Sequence, residues 1–331
     1  MIPGMNNIET IRIDASTICQ LRCDGCGFQK SNGRELGYGF LSFENFKAVI
    51  DKNPNIKRVE LSNYGEIFLN PDLIRIMEYA HKKNVLLEAA MGVNFNTVSD
   101  EQIKALVDYK FNFLSFSIDG ASQETYSKYR IRGNFDKVIE NVKKIQNYKR
   151  GCNSEHPKLQ WQFVLNSYNE NEVLEAKQKA KELGIPIVFK LNFIRSYEPK
   201  DPERLKKETG LSEVTRKEYF EKHGVPYLND DCLQVFYDPQ FNFDGAILGC
   251  CRNEWQYFKA NLFTDGLEAC LQDRGFKDMK KFLLSRNPNP KKYGELPCIK
   301  CDLWKERATK NIVLDLKEKN FLKRLLYNLF K

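Results

Sequence analysis

From Ile8 to about Ile194 the chain alternates six times between a short apolar run of strand character and an amphipathic stretch of helical period. The strand-like runs are Ile8–Asp14, Arg58–Ser62, Leu86–Ala90, Phe113–Ser117, Leu159–Leu165 and Ile187–Phe193. Between them lie helical patterns over Phe43–Asp51, Pro71–Lys83, Asp100–Tyr109, Phe135–Tyr148 and Asn171–Leu183. Strands that alternate with helices call for a parallel sheet with crossover connections. Six units do not complete an eight-stranded barrel, so the expected core is α/β, a partial (β/α)6 barrel of the TIM type over residues 1–194. In such sheets chemistry gathers beyond the C-terminal ends of the strands.

The loop after the first strand carries Cys19, Cys23 and Cys26, a C-x3-C-x2-C spacing among polar and glycine residues. Three thiolates on one loop can hold three irons of a [4Fe–4S] cube, which ordinarily takes four cysteines. The fourth iron is then open to a ligand that is not protein. A zinc site is the competing reading, but it more often shows two separated pairs, and no fourth ligand is near in sequence. Three unrelated thiols is the bland one.

A second cysteine set lies farther on. Cys232 is followed by twelve residues, Gly245, four residues and Cys250, and later by Pro297-Cys298-x2-Cys301. Phe243-Asp244-Gly245 reads as a hairpin turn between strand-like runs Val235–Tyr237 and Ala246–Leu248. Four thiolates in two pairs suit zinc or an iron–sulfur cluster, and spacing alone does not separate the two. Cys152, Cys251 and Cys270 are left over, and buried bystander thiols are the default reading for them. Cys251 adjoins Cys250 and could replace it.

The triplet in its strand–loop setting, together with the C-terminal set, resembles the radical S-adenosylmethionine (SAM) superfamily, in the branch whose members end in an auxiliary-cluster domain called SPASM or, when shortened, twitch. The motifs span about Ile8–Trp304. The resemblance implies that the open iron binds the amino and carboxylate groups of SAM. Gly65 and Glu66 follow the second strand, where family members carry a Gly-Glu pair against the SAM amino group; a second glycine common in the family is Tyr64 here. Ser117, in Ser115-Phe116-Ser117-Ile118-Asp119-Gly120, is expected at the SAM carboxylate or ribose, and Asn166 at the ribose or adenine. Arg130 and Arg132 resemble an arginine-containing loop of the family. Where many members place an aromatic residue before the third cysteine, this chain has Gly25, so Phe28 is the expected adenine contact. Cys232, Cys250, Cys298 and Cys301 would ligate one auxiliary [4Fe–4S] cluster. A free thiol such as Cys251 could donate a hydrogen atom.

The implied chemistry is reductive cleavage of SAM to methionine and a 5′-deoxyadenosyl radical that abstracts hydrogen from a C–H bond. The auxiliary cluster would take part in electron transfer, and a flavodoxin- or ferredoxin-type donor would supply electrons. The expected reaction is dehydrogenation or epimerisation of a sugar or aminocyclitol-type small molecule. The first strand lies close to residue 1, leaving no room for an N-terminal leader-binding domain; modification of a ribosomally made peptide is the alternative. An RNA-modifying enzyme and a non-catalytic metal-binding module are more distant readings.

Composition bounds this picture. With 331 residues and 42% hydrophobic content the chain suits one large and one smaller domain. No apolar run approaches the roughly 20 residues of a membrane span, and Met1–Thr10 lacks a signal pattern, so a cytoplasmic protein is expected. The net charge of +8 comes from 52 basic and 44 acidic residues, interspersed rather than gathered in the stripe typical of nucleic-acid binders. The charged segment 195–230 reads as a linker, 231–308 as the auxiliary-cluster domain, and 309–331 as a basic amphipathic tail able to dock on the barrel or touch a membrane surface. His81, His156 and His223 have no ligand-type neighbours in sequence.

Overall fold

The computed structural model describes residues 8–30, 35–192, 194, 197–314 and 316. Six parallel strands form the sheet: β1 (Thr10–Ile13), β2 (Arg58–Glu60), β3 (Leu86–Val93), β4 (Phe113–Ser117), β5 (Lys158–Leu165) and β6 (Ile187–Leu191). They run in the order β6-β5-β4-β3-β2-β1, and two short strands, β7 (Gln240–Phe241) and β8 (Ile247–Gly249), follow β1 at the far edge; the sheet is open and so a partial barrel. The five expected crossover helices are present at Phe43–Lys52, Leu73–Lys82, Asp100–Asp108, Phe135–Gly151 and Val173–Leu183. Three of them start at side-chain caps: Ser42 accepts from Asn45 N–H, Ser99 forms a capping box with Gln102, and Asn134 accepts from Lys137 N–H. An additional helix, Gln123–Tyr129, lies in the β4 connection.

The two faces of the sheet differ in chemistry. Ile11, Val59 and Leu87 are in register, as are Leu114 and Leu159, and Phe163 and Phe189. This apolar set packs on Phe46, Ile76, Leu106, Val138 and Ala176 of the helices. The opposite, concave face is polar. There Arg12 is in register with Glu60 and Gln240, Ser115 with Gln160, and Ser117 with Gln162. Strand alternation places all of these on the inside of the barrel.

The C-terminal part differs from the hairpin expected. Gln234–Tyr237 is a short helix rather than a strand. The strands are β7 (Gln240–Phe241) and β8 (Ile247–Gly249). β7 runs parallel to β1 and extends the barrel sheet, and β8 closes on it antiparallel. Arg12 of β1 donates to Asp238 (3.1 Å) and Gln240 (3.3 Å), locking the two segments together. Segment 195–230 holds two helices, Pro202–Thr209 and Arg216–His223. Most of the basic tail, including Phe321–Leu329, falls outside the described residues. Among the described residues no helix is long and apolar enough to cross a membrane.

Candidate active site

The three-cysteine loop leaves β1 at the C-terminal mouth of the barrel and is held from both sides. Arg22 N–H donates to Ile131 C=O and Asp24 N–H to Tyr129 C=O, both at 3.1 Å. Tyr197 hydrogen-bonds the Asp24 carboxylate. A tight turn joins Cys23 C=O to Cys26 N–H at 3.0 Å. Cys19, Cys23 and Cys26 are half-buried. Burial, then the Glu66 carboxylate, pushes the Cys19 thiol up to about 12. Asn94 Nδ2 lies 3.6 Å from Cys19 Sγ, and Arg130 Nη1 lies 3.6 Å from Cys23 Sγ. The donors around these sulfurs are those that thiolates bound to a cationic iron centre would use.

Gly65 is required by a close backbone approach: a Cβ there would lie 2.2 Å from Ser16 O. Its neighbour Glu66 donates its N–H to Ile18 O at 2.9 Å. The buried Glu66 carboxylate accepts from Asn94 N–H at 2.7 Å and Phe68 N–H at 3.3 Å. Burial raises its pKa to about 7, against the pull of those two N–H groups. Glu66 therefore ties the ends of β2 and β3 to the cysteine loop. Gly25 is also explained, because a Cβ there would collide with the Tyr129 hydroxyl at 2.1 Å. An aromatic side chain has no room at that position.

Ser117 sits at the top of β4 on the concave face, with Gln162 Nε2 at 3.4 Å from its Oγ. Asn166 is fully buried. Its Oδ1 accepts from Tyr168 N–H at 2.9 Å and its Nδ2 donates to Val164 O at 3.1 Å, so its amide braces its own turn. Phe28 is buried, stacked on Tyr64 at 4.9 Å and edge-on to Tyr38 at 5.7 Å. Asp119, two residues after Ser117, is fully buried. Its Oδ2 binds Arg130 Nε at 2.6 Å and its Oδ1 accepts from Val164 N–H at 2.7 Å. It thus aims the guanidinium that reaches Cys23. Arg132 adopts a positive φ of 72° in the turn that follows.

The C-terminal thiols come together. Cys232, Cys250, Cys298 and Cys301 line one pocket with Arg252, Trp255 and Trp304. Cys250 lines it and Cys251 does not. The buried Cys251 thiol stands near Asp231, Arg12 and Arg252 and is pushed up to about 12, chiefly by burial. Around the pocket, burial raises Cys232 to about 11 and holds Cys250 and Cys298 well above the ordinary thiol value. Arg307 is buried beside Cys232 and Cys298, yet its Nε and Nη1 have no hydrogen-bond partner. A buried guanidinium with two unmatched nitrogens next to neutral thiols is unfavourable. It becomes matched when the sulfurs are anionic ligands, so these residues fit an iron–sulfur group. Arg252 follows Cys250 by two residues and Arg307 follows Cys301 by six, yet no motif signalled either. Among the described residues no three His, Cys, Asp or Glu side chains converge as tightly as one metal ion requires. Cys270 is buried within Gly266–Gln272, and Cys152 is exposed.

The loop after β2 touches both cysteine sets. Tyr64 Oη donates to Cys251 O at 2.8 Å and lies 3.1 Å from Asn253 O, and Asn63 Nδ2 donates to Cys251 O at 3.3 Å. Two residues on, Glu66 holds the Cys19 side.

A parallel partial barrel with a cysteine triplet after its first strand is the architecture of radical SAM proteins. Residues 13–159 match the radical SAM superfamily, a superfamily of enzymes, so this stretch is a radical SAM domain. It is 25% identical over 186 residues to the antilisterial bacteriocin subtilosin biosynthesis protein AlbA of Bacillus subtilis, covering 54% of this chain and 38% of AlbA. It is 22% identical over 196 residues to a GTP 3′,8-cyclase of Desulforamulus reducens, covering 57% of each. The chain spans about half the length of the curated relatives it matches. Streptococcus suis SuiB, solved with S-adenosylmethionine, superposes with a TM-score of 0.62 at 14% identity, over 90% of this chain and 69% of SuiB. That likeness is one of fold.

Proposed function

We propose that this chain is a radical SAM oxidoreductase in which Cys19, Cys23 and Cys26 hold a [4Fe–4S] cluster with one open iron for SAM. The observation that carries the reading is the triplet on one braced loop at the barrel mouth, with Arg130 and Asn94 donating toward its sulfurs. When bound, cluster and SAM supply a 5′-deoxyadenosyl radical by one-electron reductive cleavage. The chain's own residues bind and shield. Gly65 lets the backbone close on the loop, Glu66 sets the rim between β2 and β3, Ser117 presents a hydroxyl on the concave face, and Asp119 directs Arg130. The concave face lies inside the partial barrel, away from the helix-covered face, and an interior of that kind keeps water from a reactive intermediate.

We assign Cys232, Cys250, Cys298 and Cys301 as ligands of one auxiliary [4Fe–4S] cluster that exchanges electrons with the substrate. The pocket that the four cysteines share, with Arg307 beside Cys232 and Cys298 to balance anionic sulfurs, supports a thiolate-ligated metal group there. A flavodoxin- or ferredoxin-type protein is the proposed reductant, and the product is an oxidised or epimerised polar small molecule. The name of AlbA, and the complex of SuiB with its precursor peptide SuiA, favour a second reading in which the substrate is a peptide. Anaerobic reconstitution followed by assay for 5′-deoxyadenosine tests the proposal; the chain should form it on reduction in the presence of SAM, and failure to do so rejects the radical reading.

A further inference from the structure

The concave face of the barrel holds buried polar atoms that the protein itself leaves unmatched. Both carboxylate oxygens of Asp14, Ser115 Oγ and Gln162 Oε1 lack a hydrogen bond of normal geometry. Asp14 is 0%, Ser115 1% and Gln162 7% exposed. They come from the end of β1, from β4 and from β5, and strand register puts them on the same inner surface. Buried polar groups are nearly always satisfied, and each exception asks for a reason.

The other charges on this face are already committed. Glu60 accepts from Ser62 N–H (3.0 Å) and Ala90 N–H (3.0 Å), and Arg12 is held by Asp238 and Gln240. Glu88 is ion-paired with Arg58, and Lys190 has a partner of its own. What is left over is a surplus of acceptors: two oxygens on Asp14, one on Gln162, and a hydroxyl on Ser115 that can act either way. Asp14 also lies beside the Tyr64 backbone N–H and the Gln240 side chain, next to the Gly65-Glu66 loop at the barrel mouth. A ligand that satisfies this set must bring hydrogen-bond donors. Burial pushes the Asp14 carboxyl up to about 8. A donor placed against it would favour its ionised form, whereas an anionic ligand would add acceptors to acceptors and oppose that ionisation.

We propose that the concave face between β1, β4 and β5 is the substrate pocket, and that Asp14 and Gln162 select a small molecule through its hydroxyl or ammonium groups. This rests on the radical SAM reading only for why a substrate should reach that face.

The test is thermal melting of the full chain with myo-inositol, glucosamine or succinate at matched concentration and ionic strength. Glucosamine and inositol should raise the melting temperature and succinate should not. Inositol also stabilises proteins generally by exclusion from their surface, so variants decide. Asp14→Leu, close to isosteric, should raise the melting temperature of the ligand-free chain, because it removes an unmatched buried carboxyl, and should lose the glucosamine shift. Asp14→Asn keeps the fold in play if the leucine variant does not accumulate, and it should weaken the glucosamine shift more than the inositol shift. A succinate shift as large as that of glucosamine, no shift with any probe, or shifts that survive at position 14 overturn the proposal. Formation of 5′-deoxyadenosine by the wild-type chain is scored separately: cleavage without probe binding rejects this inference alone, and binding without cleavage rejects the radical reading alone.

Discussion

Lys280 shows how a single side chain can reveal what its surroundings are built for. It is fully buried, has no hydrogen-bond partner, and lies 4.8 Å from the Phe276 ring centroid. Burial lowers its pKa from 10.5 to about 8. A base with a lowered pKa binds its proton less tightly when folded than when unfolded. Between pH 8 and 10.5 the unfolded chain therefore holds more protons, and stability contributed at this site rises with pH. Lys280→Met should stabilise the protein at neutral pH, by up to ~3 kcal/mol. The gap between variant and wild type should narrow as pH climbs through that window. Denaturant unfolding at a series of pH values checks it; a variant that is less stable at neutral pH would mean that the amine makes a contact worth more than its desolvation. The same logic at residue scale explains what motif reading missed. Glu66 and Ser117 were legible because they follow strands in a recognisable pattern. Asp119, Asn94 and Arg307 act through contacts across long sequence separations, for which a single sequence carries no local signal.

At the scale of elements, the six parallel strands were readable because each is apolar on one face and bounded by helical patterns. The concave face was less so, since Arg12, Glu60 and Gln162 interrupt otherwise apolar runs. The first hairpin strand was misplaced for a physical reason. Val235–Tyr237 is a short apolar run, which strand and helix patterns share, and Gln234–Tyr237 forms one helical turn instead. The true β7 has only two residues, too few for any period. The loop 63–66 is the element that joins both cysteine sets, and Gly65 is its tightest point. Gly65→Ala would push a methyl group into the Ser16 carbonyl, displacing the loop at a cost of about 1–3 kcal/mol. Thermal melting of the cluster-free chain should show that loss, and an unchanged melting temperature would mean the backbone can relax there freely.

For the whole molecule, the C-terminal segment is continuous with the barrel through β7 and through the Tyr64 contacts to Cys251 and Asn253. A sequence reading that places a boundary at residue 231 cannot see that the sheet crosses it, because β1 and β7 are more than two hundred residues apart. The two proposed cofactor sites, joined by one short loop, should nonetheless load independently. Cys298→Ala should lower the iron content by about half, leave SAM cleavage largely in place, and abolish product formation. Full turnover by that variant would remove the electron-transfer role assigned to the C-terminal thiols.

The most direct test of the account is 5′-deoxyadenosine formation by anaerobically reconstituted wild-type chain and by Cys23→Ala, each reduced in the presence of SAM. The account predicts steady formation by the wild type and none by the variant. Equal formation by both, or none by an iron-loaded wild type, would contradict it.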